Sequence, residues 1–462
     1  MLEVINSRPV HMIINNNIAE QRRHIQKQQR ASVRDDILDQ GYKDAETSLA
    51  NNTNTVDRTE VPEEHEPPKQ KKRKSLNKKE FKTLDRAEQL KKIDRILLLF
   101  SGTEGVLDLT RKSFIPKKFA SEIGALKKIY GLNLPYLLKK EEHYLLKKIA
   151  QCRNKEALYA AVKDIDPFTK GSALPYIKQA VQKLCYLYKD NLLENHDHNE
   201  DWFRIMVYGD LFDYIFASAE GYMTKRSECH SRIIKSLKEL GLIKEDEPNV
   251  RLDFIFCNTS VTGINDVLIC EDKPTENEST KDIKKTRKLR EKSLVYWRSI
   301  IHCSNALEHL SSTSCRFNKL NLLITATKII DSTIVHTTLK EVNIPVSERS
   351  GGAIADFISV VISLMRTIMK NIDTIEAILQ VIHQDNLSFL APKNDSFIYE
   401  SDSDSSTDST ISTSNSGKSW QAAEREERIK ERVDEAISML NEQYQSQYVS
   451  TDWESNAFTD NN

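Results

Sequence analysis

Apolar residues recur at helical spacing along most of the chain and switch to a two-residue period in only a few places. Between Phe81 and Glu194, Leu84, Leu90, Ile93 and Ile96 to Leu99 form one stripe that Ser101-Gly102 stops. Ile123/Leu126/Ile129, Tyr136 to Leu138, Leu145/Leu146/Ile149 and Tyr176/Ile177/Val181/Leu184/Leu187 repeat the habit, punctuated by Pro116, Pro135, Pro167 and Pro175. This pattern predicts four or five helices over 81–195. Trp202, Ile205, Leu211, Phe212, Ile215 and Phe216 suit one further helix, and Ile233, Ile234, Leu237 and Leu240 another that Gly241 ends.

The period changes at Leu252. Leu252, Phe254 and Phe256 alternate with Asp253, Ile255 and Cys257, and the run from Asp266 to Cys270 is apolar, as expected of a strand covered on both faces. Asn258 to Asn265, which includes Gly263, supplies the polar turn of a β-hairpin. KDIKKTRKLREKSLVYWRSII then reads as a helix that is basic in its first half and apolar in its second, and Leu320 to Ala326 and Thr333 to Leu339 read as two more strands. Ser350-Gly351-Gly352 breaks the chain before a long apolar helix, Ile354 to Ile382. Ala422 to Gln443 is charged and helical, with Ile429, Val433, Ile437 and Leu440 on one narrow stripe suited to a coiled-coil partner or to docking as a single helix.

Length and composition refine this picture. The 462 residues are 39% apolar and 29% charged, enough for a core surrounded by much solvated chain. The formal net charge of -1 conceals segregation, because Lys69 to Lys92 carries eleven basic and three acidic residues while Ser401 to Ser419 is rich in Ser, Thr and Asp. Such asymmetry points to nucleic acid or to the nucleus and away from a membrane. Within PPKQKKRK, Lys71, Lys72, Arg73 and Lys74 resemble a nuclear localisation signal. No basic stretch leads into an apolar one at the start of the sequence, so no signal peptide is predicted. Seven scattered cysteines without a C-x-x-C predict reduced thiols in an intracellular protein.

The expected organisation is a disordered arm over 1–80, a helical domain over 81–195 and a mixed α/β (or α+β) domain over 198–390. An acidic Ser-rich linker over 391–420, a helix over 421–445 and a disordered tail over 446–462 follow.

The hairpin carries the candidate chemistry. Asp253 lies within its first strand, and Glu271 and Lys273, two residues apart at the end of the second, share a face while Asp272 points away. An aspartate followed by an apolar strand ending in Glu-x-Lys resembles the PD-(D/E)XK nuclease superfamily and, in general shape, uncharacterised nuclease-like proteins of early-diverging fungi. A second Glu-x-Lys, Glu80 to Lys82, follows no such strand.

The resemblance covers roughly residues 198–340. It implies a restriction-endonuclease-like mixed sheet flanked by helices, and a magnesium or manganese ion held by Asp253 and Glu271. Lys273 would lie near the attacking water and the scissile phosphate. It further implies an acidic residue from a preceding helix, for which Glu200, Glu220 and Glu228 are candidates. The implied core has three strands before its crossover helix where the sequence pattern yields two, leaving GLIKEDEPNV as a possible home for the third.

Chemistry supports such a site independently. Phosphodiester cleavage builds negative charge on oxygen, and a hard cation on oxygen ligands stabilises that charge and acidifies bound water. Lys281, Lys285 and Lys288, on one side of the basic helix, are the candidates for backbone phosphates. No glycine-rich phosphate loop, zinc spacing or G-x-S-x-G motif is present. Two functional readings follow: a nuclear, metal-dependent nuclease, or an inactive nuclease-like fold that binds nucleic acid or protein, the latter through its C-terminal helix.

Overall fold

A computed structural model describes residues 88, 106–110, 120–189, 191–194, 197–258, 266–273, 280–301, 303–330, 333–390 and 416–449. The basic stretch Lys71 to Lys74, most of the stripe Leu84 to Leu99, the hairpin turn after Asn258 and most of the Ser-rich segment lie outside them.

The chain divides into two compact units. One comprises Met1–Asp85 with Ser236–Glu247, and its described part is the end of a helix followed by turns. Gly241 closes that helix in the left-handed region, at φ 69°, donating its N–H to Lys238 O at 2.8 Å. The other unit, Arg86–Lys235 with Pro248–Asn462, contains the sheet.

Seven strands form that sheet: β1 (Val106–Asp108), β2 (Tyr222–His230), β3 (Arg251–Asn258), β4 (Asp266–Lys273), β5 (Ser311–Asn318), β6 (Asn321–Ile330) and β7 (Thr333–Asn343). Their order is β1-β7-β6-β5-β4-β3-β2. β2, β3 and β4 form an antiparallel meander, β5 returns parallel to β4, β6 and β7 are antiparallel, and β1 joins β7 in parallel.

Three strands differ from the sequence expectation, the first being β1, three residues long within 81–195, where only helices were expected. The third strand of the meander is β2, in YMTKRSECH, and not GLIKEDEPNV; its charged residues hide the pattern because it is an edge strand with little burial. β5, SSTSCRFN, was not anticipated at all, since Ser and Thr favour turns. It is nonetheless central and buried, because Ser314 meets a buried arginine on one side while Cys315 and Phe317 enter the apolar core on the other.

The helices are α1 (Ala120–Ile129), α2 (Lys140–Ala150), α3 (Lys155–Val162), α4 (Leu174–Lys189), α5 (Glu200–Phe203), α6 (Tyr214–Ala217), α7 (Arg232–Glu239), α8 (Thr280–Ile301), α9 (Ser304–Leu307), α10 (Gly351–Leu390) and α11 (Ser416–Gln447). A π-helical stretch, Arg204–Asp213, joins α5 to α6. Phe254, Phe256, Leu268, Cys270, Cys315 and Phe317 on one sheet face share a single core with α2 to α6 and α10. The residues between 134 and 193 thus pack as part of the sheet's own core. α8 covers the opposite face, over β4, β5 and β6.

By length and composition, Gly351–Asp385 is apolar enough to cross a membrane. Here Ile354, Phe357, Ile358, Val361 and Leu364 are completely buried in the core, which makes it a core helix of this fold. α11 lies along α10: Val433 and Ile437 are buried, Arg425 Nε donates to Asp385 at 2.8 Å, and Tyr444 Oη donates to Asp373 at 2.5 Å.

Two contacts fix α10. Glu142 of α2 is fully buried and takes Arg366 Nη1 and Nη2 at 2.6 and 2.7 Å, plus the backbone N–H groups of Ala173 at 2.6 Å and Lys139 at 2.8 Å. Burial alone would raise its pKa, but Arg366 and the two amides hold the carboxyl below its usual value. Gly351 starts α10 where a Cβ would meet the carbonyl oxygens of Cys152 at 2.4 Å and Ile149 at 2.6 Å. The chain break read at Ser350-Gly351-Gly352 is therefore a close backbone crossing as well as a helix start.

Glu142→Ala leaves a buried guanidinium without its counter-ion and should cost about 3–5 kcal/mol in urea unfolding, whereas replacing Glu142 and Arg366 together by apolar residues should cost less than the sum of the single changes. Gly351→Ala should cost roughly 1–3 kcal/mol by forcing α10 away from α2; an unchanged unfolding midpoint would contradict the crossing.

Candidate active site

The site forms where β3 begins and β4 ends. Phe254 pairs with Cys270 and Ile255 with Ile269, so one further step along the antiparallel ladder sets Asp253 across from Glu271. Both belong to the α8 face, opposite Phe254 and Cys270, and Lys273 follows on the same face.

Glu271 is 2% exposed. Its Oε2 lies 2.5 Å from Lys285 Nζ, which also donates to Arg251 O at 3.1 Å. Its Oε1 is buried and has no hydrogen-bond partner among the described residues. Burial pushes the carboxyl up to about 8; Lys285 opposes this, and the charges of Asp253 and Asp282 add to it.

Lys273 Nζ is 3.2 Å from Asp282 Oδ2 at the start of α8. Its partial burial would lower the ammonium pKa, but the hydrogen bond to Asp282 and the charges of Asp282, Glu200 and Asp253 raise it. Of the three lysines expected to meet phosphate, Lys281 and Lys288 are exposed on α8, while Lys285 is turned in onto Glu271.

Asp253 reaches around the strand end. Its Oδ2 accepts the backbone N–H of Asp272 at 2.8 Å, and its Oδ1 lies 2.5 Å from Arg204 Nη2. Arg204 also binds Glu200, and it contacts Asp201 and Asp272 at 3.4 Å each. Of the three acids considered for the preceding helix, Glu200 joins this network. Glu228, on β2, pairs with Arg251 at the surface at 2.7 Å, and Glu220 is exposed.

Asp272 does point to the other sheet face, where it is fully buried. Arg226 binds it and also grips both oxygens of Asp213 at 2.8 Å. Burial pushes the Asp272 carboxyl up to about 6 in spite of Arg226. Arg226 immediately precedes a bulge in β2, at which Ser227 and Glu228 adopt φ of 64° and 50°. The sequence reading missed Arg204, Arg226, Asp213 and Asp282, and gave Asp272 an orientation but no partner. The available signal was two adjacent acids closing the apolar run Val267 to Cys270, which require cations from both sides.

Ion pairs among the described residues link seven carboxylates (Glu200, Asp201, Asp213, Asp253, Glu271, Asp272 and Asp282) to Arg204, Arg226, Lys273 and Lys285, and Arg316 is the register partner of Glu271 on β5. Among the described residues, no three His, Cys, Asp or Glu side chains form a ready-made metal cage. The donor chemistry nonetheless suits a hard divalent cation: carboxylate oxygens, among them a buried Glu271 oxygen without a hydrogen bond.

Because the folded-state pKa of Glu271 is raised, the protonated form is favoured by the fold. Its contribution to stability is complete below the ordinary value of 4.5 and is lost as pH rises through about 8. Glu271→Gln should therefore flatten the decline in stability across that interval, measured as urea midpoints at successive pH values. An identical slope in both proteins would show that Glu271 is ordinarily acidic.

No family model matches this chain, and no curated protein or solved structure matches it.

Proposed function

We propose that the chain is a metal-dependent phosphodiesterase acting on nucleic acid, on the restriction-endonuclease-like plan. The observation that carries this reading is the meeting of Asp253 and Glu271 at adjacent strand ends, where one buried Glu271 oxygen has no hydrogen bond among the described residues. The topology supports it as well. Three strands, β2 to β4, precede the crossover helix α8, and β5 returns parallel to β4.

Asp253 and Glu271, with Glu200 from α5, would hold magnesium or manganese. When bound, the ion would supply a more acidic water and a counter-charge for the phosphorane-like transition state. Lys273, held by Asp282 at the mouth of the site, would bind phosphate as a point charge. Lys281 and Lys288, exposed on α8, would hold the flanking backbone. Arg204 and Lys285 now neutralise Asp253 and Glu271, so an entering cation would compete with them directly.

That same competition favours a second reading, an inactive scaffold for nucleic acid, since both Asp253 oxygens already have partners.

Calorimetry with manganese and assays on single- and double-stranded DNA and RNA separate the two. On the catalytic reading, manganese binds with proton release and more tightly at pH 8 than at pH 6. Asp253→Ala, Glu271→Ala and Lys273→Ala would each lower cleavage by about 10²-fold or more, with folding intact. Absence of manganese binding, or cleavage indifferent to all three changes, would sink it. Under the scaffold reading, Lys281→Glu with Lys288→Glu weakens nucleic-acid binding while the triad changes leave it nearly unaltered.

A further inference from the structure

Beside the Glu271 site, the structure contains a cleft of about 590 Å³ between α8 and strands β5, β6, β7 and β1. Four cations line it, Lys284, Arg287 and Arg290 from α8 and Arg316 from β5, against two carboxylates, Asp108 and Glu341. Arg287 is paired at 3.1 Å with each of Asp108 and Glu291.

Arg290 is different. It is 3% exposed, yet its hydrogen bonds go to hydroxyls alone: Nε donates to Thr327 at 2.8 Å, and Nη1 donates to Ser314 at 2.5 Å and Thr325 at 2.9 Å. Among the described residues no carboxylate pairs with it. Burial and the nearby charge of Arg287, with a smaller effect of Arg316, lower its pKa to about 10 against the opposing charges of Asp108 and Glu291. A guanidinium held this deeply by neutral acceptors is short of a counter-ion, because desolvating a charge is costly unless it is paired. His336, at the same wall and 3.1 Å from Glu291, is held toward its neutral form by burial.

The cleft therefore offers convergent guanidinium donors, a lysine at the rim and the hydroxyls of Thr325 and Thr338, in a space of the size that takes a small organic anion. Guanidinium forks match the oxygens of phosphate, and a dianion with three terminal oxygens suits several cations better than a carboxylate does. Arg316 is also the register partner of Glu271 on β5, which sets the cleft beside the candidate active site.

We propose that this cleft binds a phosphomonoester, the dianionic phosphate of a nucleoside monophosphate or of a nucleic-acid strand end. The site does not depend on whether the carboxylate centre cleaves, and it is tested without divalent metal.

The test uses the full chain in EDTA. Inorganic phosphate and nucleoside 5′-monophosphates are titrated by calorimetry, and oligonucleotides with a 5′-phosphate or a 5′-hydroxyl by fluorescence anisotropy. Saturable phosphate binding is expected. It should be weakened at least tenfold by Thr338→Glu, which adds a carboxylate at a half-buried wall position, and by Arg290→Gln. Should Arg290→Gln fail to fold, Thr338→Glu and the exposed Lys284→Glu suffice, with their folding checked by thermal melts.

A 5′-phosphorylated strand that binds tenfold tighter than its 5′-hydroxyl counterpart identifies a strand end as the source. A nucleoside monophosphate that outcompetes both strands identifies a free nucleotide. No saturable binding of phosphate to the wild-type chain, or binding that Thr338→Glu leaves unchanged, overturns the proposal.

Discussion

Two consecutive carboxylates, Glu271 and Asp272, end a strand that is covered on both faces, and much of the molecule is arranged to keep them there. Alternation sends one to each side of the sheet, so neither side can be closed by apolar packing alone. On the α8 face Lys285 reaches Glu271, while Lys273 beside it is held by Asp282. On the other face Asp272 draws Arg226 from β2 and Arg204 from the π-helical stretch. The irregular features of the backbone coincide with these demands. Arg204 and Asp213 mark the two ends of the π-helical stretch, and the β2 bulge falls directly after Arg226. Wide helical turns and bulges both re-aim side chains, and here they aim them at β4.

How much of this could be read in the sequence depended on which side chains met apolar surroundings. The β3/β4 hairpin, α8, α10 and α11 were legible because their apolar residues keep one period, and Asp253, Glu271 and Lys273 were legible because spacing on a strand fixes their faces. β1, β2 and β5 were not. β1 is only three residues long, β2 is an edge strand whose residues face mostly solvent, and β5 buries Ser314 against Arg290, so that none shows the alternation by which strands are recognised. Arg204 and Arg226 were illegible for another reason: an arginine looks the same in sequence whether it is solvated or paired in the interior. The acids that call for them were visible, but the partners lie 68 and 46 residues away.

Polar interiors recur elsewhere in this chain. Glu142 with Arg366 joins α2 to α10, Asp266 accepts the N–H groups of Arg232 and Ile233 at the start of α7, and Arg290 ties α8 to three hydroxyls. Each links an element to a distant part of the sequence through directional bonds. Apolar contact supplies most of the driving force for collapse, whereas these bonds choose among the ways of packing the same helices on the same sheet.

The two ends of the sheet add a property of their own. One ends in β1, only three residues long, and the other in β2, interrupted by a bulge with Ser227 and Glu228 in the left-handed region and flanked by Lys225 and Arg226. A free strand edge is a template on which another chain can add, and short, kinked or charged edges are poor templates. The bulge that positions Arg226 over Asp272 therefore also makes this edge a poor template for a further strand, so that one local distortion serves both the ion pairs at the end of β4 and the edge of the sheet.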